Sequence, residues 1–367
     1  MITLIGHPYA PIGMGEQLRS HIAALASVHA KFGVHDIFRF STRADPAHAA
    51  LLRGREVEEV GPGVRIFHLN GDEVENARAA FAKRGFDWEA GRNIIVPAWE
   101  LPVYPAEWVP ALREFDEVWA LSDFIRQSLA ASGVESHLVG QSVEPSPGPL
   151  LPRRHFGIRE SAFVLLHFLD LSSWATRKNP QAALDLFRRL READPFADIQ
   201  LVLKVKQGEF GAEDWAREFL AQNGASGQIL LIDRPLDSMG VRSLIAACDC
   251  FVSLHRAEGF GRGLGEAMAL GRLALGTDWS GCRDFLTVET GLPVRYSLVP
   301  VGEGEYPHGE GQVWAEADVA DAVAKIAPFI GDPTRGRALA LRGQASVLQH
   351  HGMRAVGLRM LKTAESR

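Results

Sequence analysis

Glu258-Gly259-Phe260-Gly261-Arg262-Gly263-Leu264-Gly265-Glu266-Ala267-Met268 lies between a short apolar run, Phe251-Val252-Ser253-Leu254, and a run of helix formers that stops at Gly271. The first run is partly β-branched, as a buried strand is, and the second ends on a glycine, a helix C-terminal signal. The segment therefore reads as strand, glycine-rich loop, helix. In an open α/β sheet such a loop lies at the carboxyl end of a parallel strand, where ligands bind, and the helix start offers unpaired N–H groups to a phosphate. Glu258 and Glu266 flank that anion site, eight positions apart. A carboxylate repels phosphate but accepts hydrogen bonds from hydroxyl groups. Glu258 is thus expected to face a sugar and Glu266 a ribose, with glycine N–H groups on the phosphates between them, and a nucleotide-sugar is the implied ligand. The alternative is that both are ordinary helix N-terminal acids, each favoured there by about 0.3–1 kcal/mol.

The rest of the chain repeats this strand and helix alternation. Apolar runs at Ile2 to Ile5, Val34 to Phe40, Val64 to Leu69, Asn93 to Val96, Val118 to Leu121 and His137 to Val139 predict one sheet; those at Phe163 to Leu169, Ile199 to Val205, Gln228 to Ile232, Phe251 to Leu254 and Leu273 to Leu275 predict a second, with helices between the strands. Between the two sets, prolines in Val143-Glu144-Pro145-Ser146-Pro147-Gly148-Pro149 mark a linker. The 367 residues and their 46% hydrophobic content fit two cores. A formal charge of -6 argues against general nucleic-acid binding. The N-terminus lacks the basic start and long apolar region of a signal peptide, and no uncharged apolar stretch approaches the length of a membrane span, so a cytoplasmic location is expected. Arg354, Arg359 and Lys362 near the C-terminus leave open a peripheral association with the inner face of the membrane, or simply favour the helix dipole. Cys248, Cys250 and Cys282 cannot all pair, lack zinc-ligand spacing, and are expected to be buried and reduced.

The Glu258 to Glu266 stretch resembles the Glu-x7-Glu signature of retaining glycosyltransferases of the GT-B fold, specifically family 4 (glycosyltransferase group 1). Arg177-Lys178-Asn179-Pro180, Gly276-Thr277-Asp278-Trp279-Ser280-Gly281 and Tyr306 to Glu316 agree with it, and Trp99-Glu100-Leu101-Pro102 with Asp116 to Ser122 look like a subgroup acting in bacterial polysaccharide assembly. The resemblance implies two facing Rossmann-like domains, residues 1–145 on the acceptor side and 146–350 on the nucleotide-sugar donor side. It also implies a C-terminal helix, within 351–367, that crosses back to the first domain. It further implies retention of anomeric configuration and a glycan or lipid-linked glycan acceptor, with a lean to GDP-mannose as donor. No cofactor is implied. The chain has no Asp-x-Asp, so no metal site is expected, and cationic side chains must stabilise the departing diphosphate.

Lys178, between a strand and a proline-started helix, is the foremost candidate for that charge, with Arg177 its neighbour. The family's arginine would fall near Ser172, a departure from the pattern, and Lys204 is expected to supply the second charge, because a lysine inside an apolar strand is otherwise costly to bury. The donor site is expected to comprise Gly13, Gly15, Arg177, Lys178, Lys204, Gly259, Phe260, Gly261, Arg262 and Glu266. Glu258, Lys178 and Glu100 are expected at the chemistry. Gly13 and Gly15 either let the backbone approach the donor or simply form a helix-entry turn. A nicotinamide site fits this loop poorly: only the acid, Asp36, is where it should be, and Leu18 occupies the position of the third glycine. His255 is expected to position Glu258 or to be a packed residue, and the aromatic segment from Trp99 to Pro110 to stack on an acceptor sugar or to be core. Two other readings are a non-catalytic nucleotide-sugar-binding protein, supported by the missing arginine, and a GT-B nucleotide-sugar epimerase.

Overall fold

The structure is a computed structural model that describes residues 1–39, 45–206 and 228–365. The chain divides into two compact units, Met1–Glu144 together with Leu348–Arg367, and Pro145–Val347.

In the first unit β1 (Ile2–Gly6), β2 (Phe32–Asp36), β3 (Val64–Phe67), β4 (Arg92–Ile95), β5 (Glu117–Ala120) and β6 (His137–Leu138) form one parallel sheet in the order β2-β1-β3-β4-β5-β6. β2 ends at Asp36, short of the predicted Phe40, which lies outside the described residues. The helix Gly13–Ser27 follows β1, and against it packs the last helix, Met353–Glu365, longer by three residues than the predicted Met353 to Lys362. The close approach explains Gly357: a Cβ there would collide with the carbonyl oxygen of Ala24. Val356 and Met360 are fully buried on the same face. Arg359 donates from Nε to the Val139 carbonyl oxygen at 3.0 Å, so this arginine serves the packing of the last helix.

In the second unit β7 (Phe163–Asp170), β8 (Ile199–Lys206), β9 (Ile229–Ile232), β10 (Cys250–Ser253), β11 (Leu273–Thr277) and β12 (Leu292–Val294) form a second parallel sheet in the order β12-β11-β10-β7-β8-β9. Its central strands are buried on both faces, which is why they read as continuous apolar runs. The helix Pro180–Ala193 covers one face with Ala183, Leu184, Leu186 and Phe187. Proline at its start and Asn179, whose side chain accepts from the Ala182 N–H, set where it begins. The helix expected between Val205 and Gln228 lies outside the described residues. β13 (Tyr296–Pro300) and β14 (Val313–Ala317) add an antiparallel pair that the apolar pattern does not predict.

The proline-rich segment has no regular structure, as predicted, yet Arg242 holds it by donating to the carbonyl oxygens of Ser146 and Pro149. The three cysteines are free and buried. Among the described residues no helix is long and apolar enough to cross a membrane.

Candidate active site

β10 leads into the loop that carries Glu258, and the helix Arg262–Ala269 follows. Gly261 caps that helix with φ +86°, a left-handed conformation, and a Cβ on it would come within 2.9 Å of the Cys282 Cβ. A second loop, after β11, is pressed against the first. Gly281 N–H donates to the Glu258 carbonyl oxygen at 3.0 Å, and the Glu258 N–H donates to Ser280 Oγ at 3.1 Å. A Cβ on Gly281 would collide with the Gly259 carbonyl oxygen. Fully buried His255 joins the same two loops: its carbonyl oxygen accepts from Thr277 Oγ1 at 2.7 Å, and its Nε2 lies 3.2 Å from the Trp279 carbonyl oxygen. His255 is therefore a packed, bonded residue that fixes the strand end, and burial pushes its pKa down. The segment Gly276 to Gly281 is the scaffold on which Glu258 rests.

The Glu258 carboxylate meets two cations from the short helix Ala175–Lys178 that follows β7. Lys178 Nζ donates to Oε1, and Arg177 Nη1 stands 3.3 Å from Oε2. Arg177 Nη1 also donates to the Ala257 carbonyl oxygen at 3.2 Å, so it grips the backbone beside the acid it neutralises. Burial by itself raises the Glu258 pKa, but Lys178, then Arg177 and His255, outweigh it and hold the carboxyl at about 2. His167, on β7, is fully buried and pushed down to about 4 by burial, with its Nδ1 3.0 Å from the Val252 carbonyl oxygen. The site is an ionised carboxylate between two cations at the ends of adjacent strands, with a neutral imidazole beside it.

On the helix, Arg262 Nε lies 2.7 Å from Glu266 Oε1, an i,i+4 pair that joins two of the expected donor-site residues. Phe260 is buried with its ring 5.4 Å from that of Phe285. Gly259 is buried beside it. Lys204 belongs to a different group. Its Nζ donates to the Val205 carbonyl oxygen at 2.7 Å, while Lys206 pairs with Asp170 at 2.9 Å. Burial lowers the Lys204 pKa to about 8, partly offset by Asp233 and Asp170.

Three expected residues belong to the first unit. Gly13 is open to solvent, and a Cβ there meets nothing within 4 Å. Gly15 has a packing reason to be glycine, because a Cβ would collide with the Ala10 carbonyl oxygen. Glu100 is half-buried in the loop after β4. In that loop Trp99 and Tyr104 are 3% and 0% exposed, and with Trp108 they form edge-to-face pairs 5.5–5.9 Å apart. Trp99 and Tyr104 are core, packed edge to face.

Sequence reading missed several residues that the geometry brings forward. His7 directly follows β1, its Nε2 2.7 Å from Glu73 Oε1 and its ring stacked on Phe38 at 4.7 Å; position at a strand's carboxyl end was the available signal. Asn179 and Glu316 fall in stretches that carry the resemblance but had no role assigned; with Arg256 they form a bonded set beside Glu258.

Residues 162–306 match the family described as Glycosyl transferases group 1. No curated protein matches the chain. Among solved structures, Anabaena HepE in complex with UDP and glucose is 15% identical with TM-score 0.69, covering 100% of both chains. A sucrose-phosphate synthase from Thermosynechococcus elongatus is 16% identical with TM-score 0.67, over 99% of this chain and 97% of that one. A glycosyltransferase from Rickettsia africae is 12% identical with TM-score 0.67, again over 99% and 97%. Residues 162–306 are thus similar to a group 1 glycosyl transferase domain, and the chain has the GT-B fold of these solved structures.

Proposed function

We propose that this protein moves a hexose from a nucleotide-sugar to a glycan or lipid-linked glycan, with retention of configuration, in the assembly of a bacterial surface polysaccharide. The observation that carries the reading is the Glu258 carboxylate, held ionised against Lys178 and Arg177 at the carboxyl edge of the sheet. A diphosphate entering there competes with Glu258 for the Lys178 ammonium, and sugar hydroxyls donate to the carboxylate in exchange. As the glycosidic bond breaks, negative charge grows on the departing β-phosphate, and Lys178, Arg177 and the N–H groups at the start of the helix Arg262–Ala269 stabilise it. The same phosphate oxygen takes the acceptor proton on the retained face, so no protein base is needed there. Glu266 accepts from the ribose hydroxyls, with Arg262 orienting it. Lys204 adds to the positive field, while Gly13 and Glu100 serve from the first unit, which takes the acceptor. The donor is a uridine or guanosine diphosphate hexose: HepE is known in complex with UDP-glucose, and GDP-mannose remains the alternative.

The melting temperature measured with GDP-, UDP-, ADP- and dTDP-sugars and with NAD, each with chelator and with magnesium, tests this, because a ligand that binds the folded state raises it. A chelator-insensitive rise with one nucleotide-sugar class is expected. Charged hydrogen bonds contribute about 1.5–3 kcal/mol each, so Glu266→Ala should weaken that donor roughly tenfold or more. A rise with NAD alone would refute the reading. Donor binding without any transfer or slow hydrolysis would leave a non-catalytic binding protein, and interconversion of the nucleotide-sugar without an acceptor would mark an epimerase.

A further inference from the structure

We infer that Glu316 is a positioning residue that holds Lys178 and Glu258 in register, an inference that rests on the transferase reading of their site. Glu316 lies on β14, outside the parallel sheet that carries both residues. Its carboxylate has one partner on each of the two segments that form the site. Oε1 accepts from Asn179 Nδ2 at 3.1 Å, and Asn179 directly follows Lys178. Oε2 accepts from Arg256 Nε at 2.8 Å, and Arg256 precedes Glu258 by two residues. One side chain therefore clamps the segment after β7 to the segment after β10.

Both partners are themselves fixed. Asn179 sits in the left-handed region at φ +53°, where asparagine is among the few side chains tolerated. Its Oδ1 accepts from the Ala182 N–H at 3.4 Å, so the amide is used at both ends and the turn that aims Lys178 is held from two sides. The Arg256 guanidinium lies over the Trp314 ring at 5.4 Å from its centroid, and that ring is 1% exposed. Backbone bonds complete the join: Arg256 N–H donates to the Arg177 carbonyl oxygen at 2.8 Å, and Ala315 N–H donates to the Arg256 carbonyl oxygen at 3.0 Å. The antiparallel pair β13 and β14 thus reaches the site through Glu316 and Arg256. Misplacing reacting groups by about 1 Å can cost on the order of 100-fold in rate, so a clamp outside the reacting atoms has catalytic consequence.

The test compares Glu316→Ala and Glu316→Gln in the full chain, with donor turnover, donor KM and site-resolved amide hydrogen exchange as readouts. Glu316→Ala should lower kcat roughly 10- to 100-fold with donor KM nearly unchanged. It should also speed exchange locally, at the Arg177 to Asn179 and Arg256 to Glu258 amides. Glu316→Gln keeps an acceptor for Asn179 and should recover most of the rate. Unchanged kcat in Glu316→Ala, or exchange that quickens evenly across the Pro145–Val347 unit, would overturn the inference. A wild-type protein that neither binds nor turns over any nucleotide-sugar would refute the transferase reading instead, and the local exchange would still decide whether Glu316 clamps the two segments.

Discussion

Glu258 and Lys204 are both buried ionisable groups, and their environments act in opposite senses on stability. The Glu258 carboxyl is held at about 2, below its ordinary 4.5, by Lys178 and Arg177 against the effect of burial. The stabilisation linked to that depression, on the order of 3 kcal/mol, is complete above the unfolded value and is lost as pH falls from 4.5 toward 2. Wild-type stability should therefore fall more steeply over that window than that of Glu258→Gln, and parallel acid-denaturation curves would contradict the ion-pair assignment. Lys204, lowered from 10.5 to about 8, destabilises the fold while charged; stability should rise as pH climbs from 8 to 10.5, where the unfolded chain still binds the proton. Lys204→Met should raise the melting temperature at neutral pH by removing a desolvated charge, a gain of about 1–3 kcal/mol, and should flatten that rise. Unchanged donor affinity in the same variant would leave the lysine without a role in the site. Glu258 was legible as a candidate because it follows an apolar run closely, and Arg177 and Lys178 because they stand between a strand and a proline-started helix. Their ion pairing was not, since about 80 residues separate the partners.

At the scale of elements, the entry to the helix Gly13–Ser27 separates a packing glycine from a candidate ligand-facing one. A Cβ on Gly15 would strike the Ala10 backbone, which cannot swing away as a flexible side chain can. Gly15→Ala should cost about 1–3 kcal/mol, read by denaturant unfolding. Gly13 has open space, so Gly13→Ala should stabilise the helix by about 0.4–1 kcal/mol. A raised donor Kd in that stabilised variant would support a close backbone approach of the donor at Gly13, and an unchanged Kd would remove it from the site. The parallel strands were readable because burial on both faces makes them continuously apolar. β12 carries Pro293 mid-strand, which only an edge strand tolerates, and β13 is largely exposed, so neither shows an apolar run or a clean alternation.

For the whole molecule, the last helix completes the first unit rather than the one that precedes it in the chain. Burying Val356 and Met360 alone is worth roughly 1.5–3 kcal/mol each, a large share of the 5–15 kcal/mol that holds a typical domain. A chain ending before Met353 should lose the calorimetric transition of the first unit, and one that keeps it at an unchanged temperature would show the helix to be dispensable. By itself the sequence determined the two parallel sheets, the linker and the return of the last helix. It also determined the loop that carries Glu258, because strand and helix periodicity and glycine placement are local and repeat along the chain. Only the tertiary structure decided which groups meet: that Lys178 and Arg177 neutralise Glu258, that Lys204 has Asp170 and Asp233 near it, that Trp99 and Tyr104 are core, and that Glu316 bridges Asn179 and Arg256. Pairing of this kind depends on side-chain direction and on distances between strand ends far apart in sequence, and no local pattern encodes either.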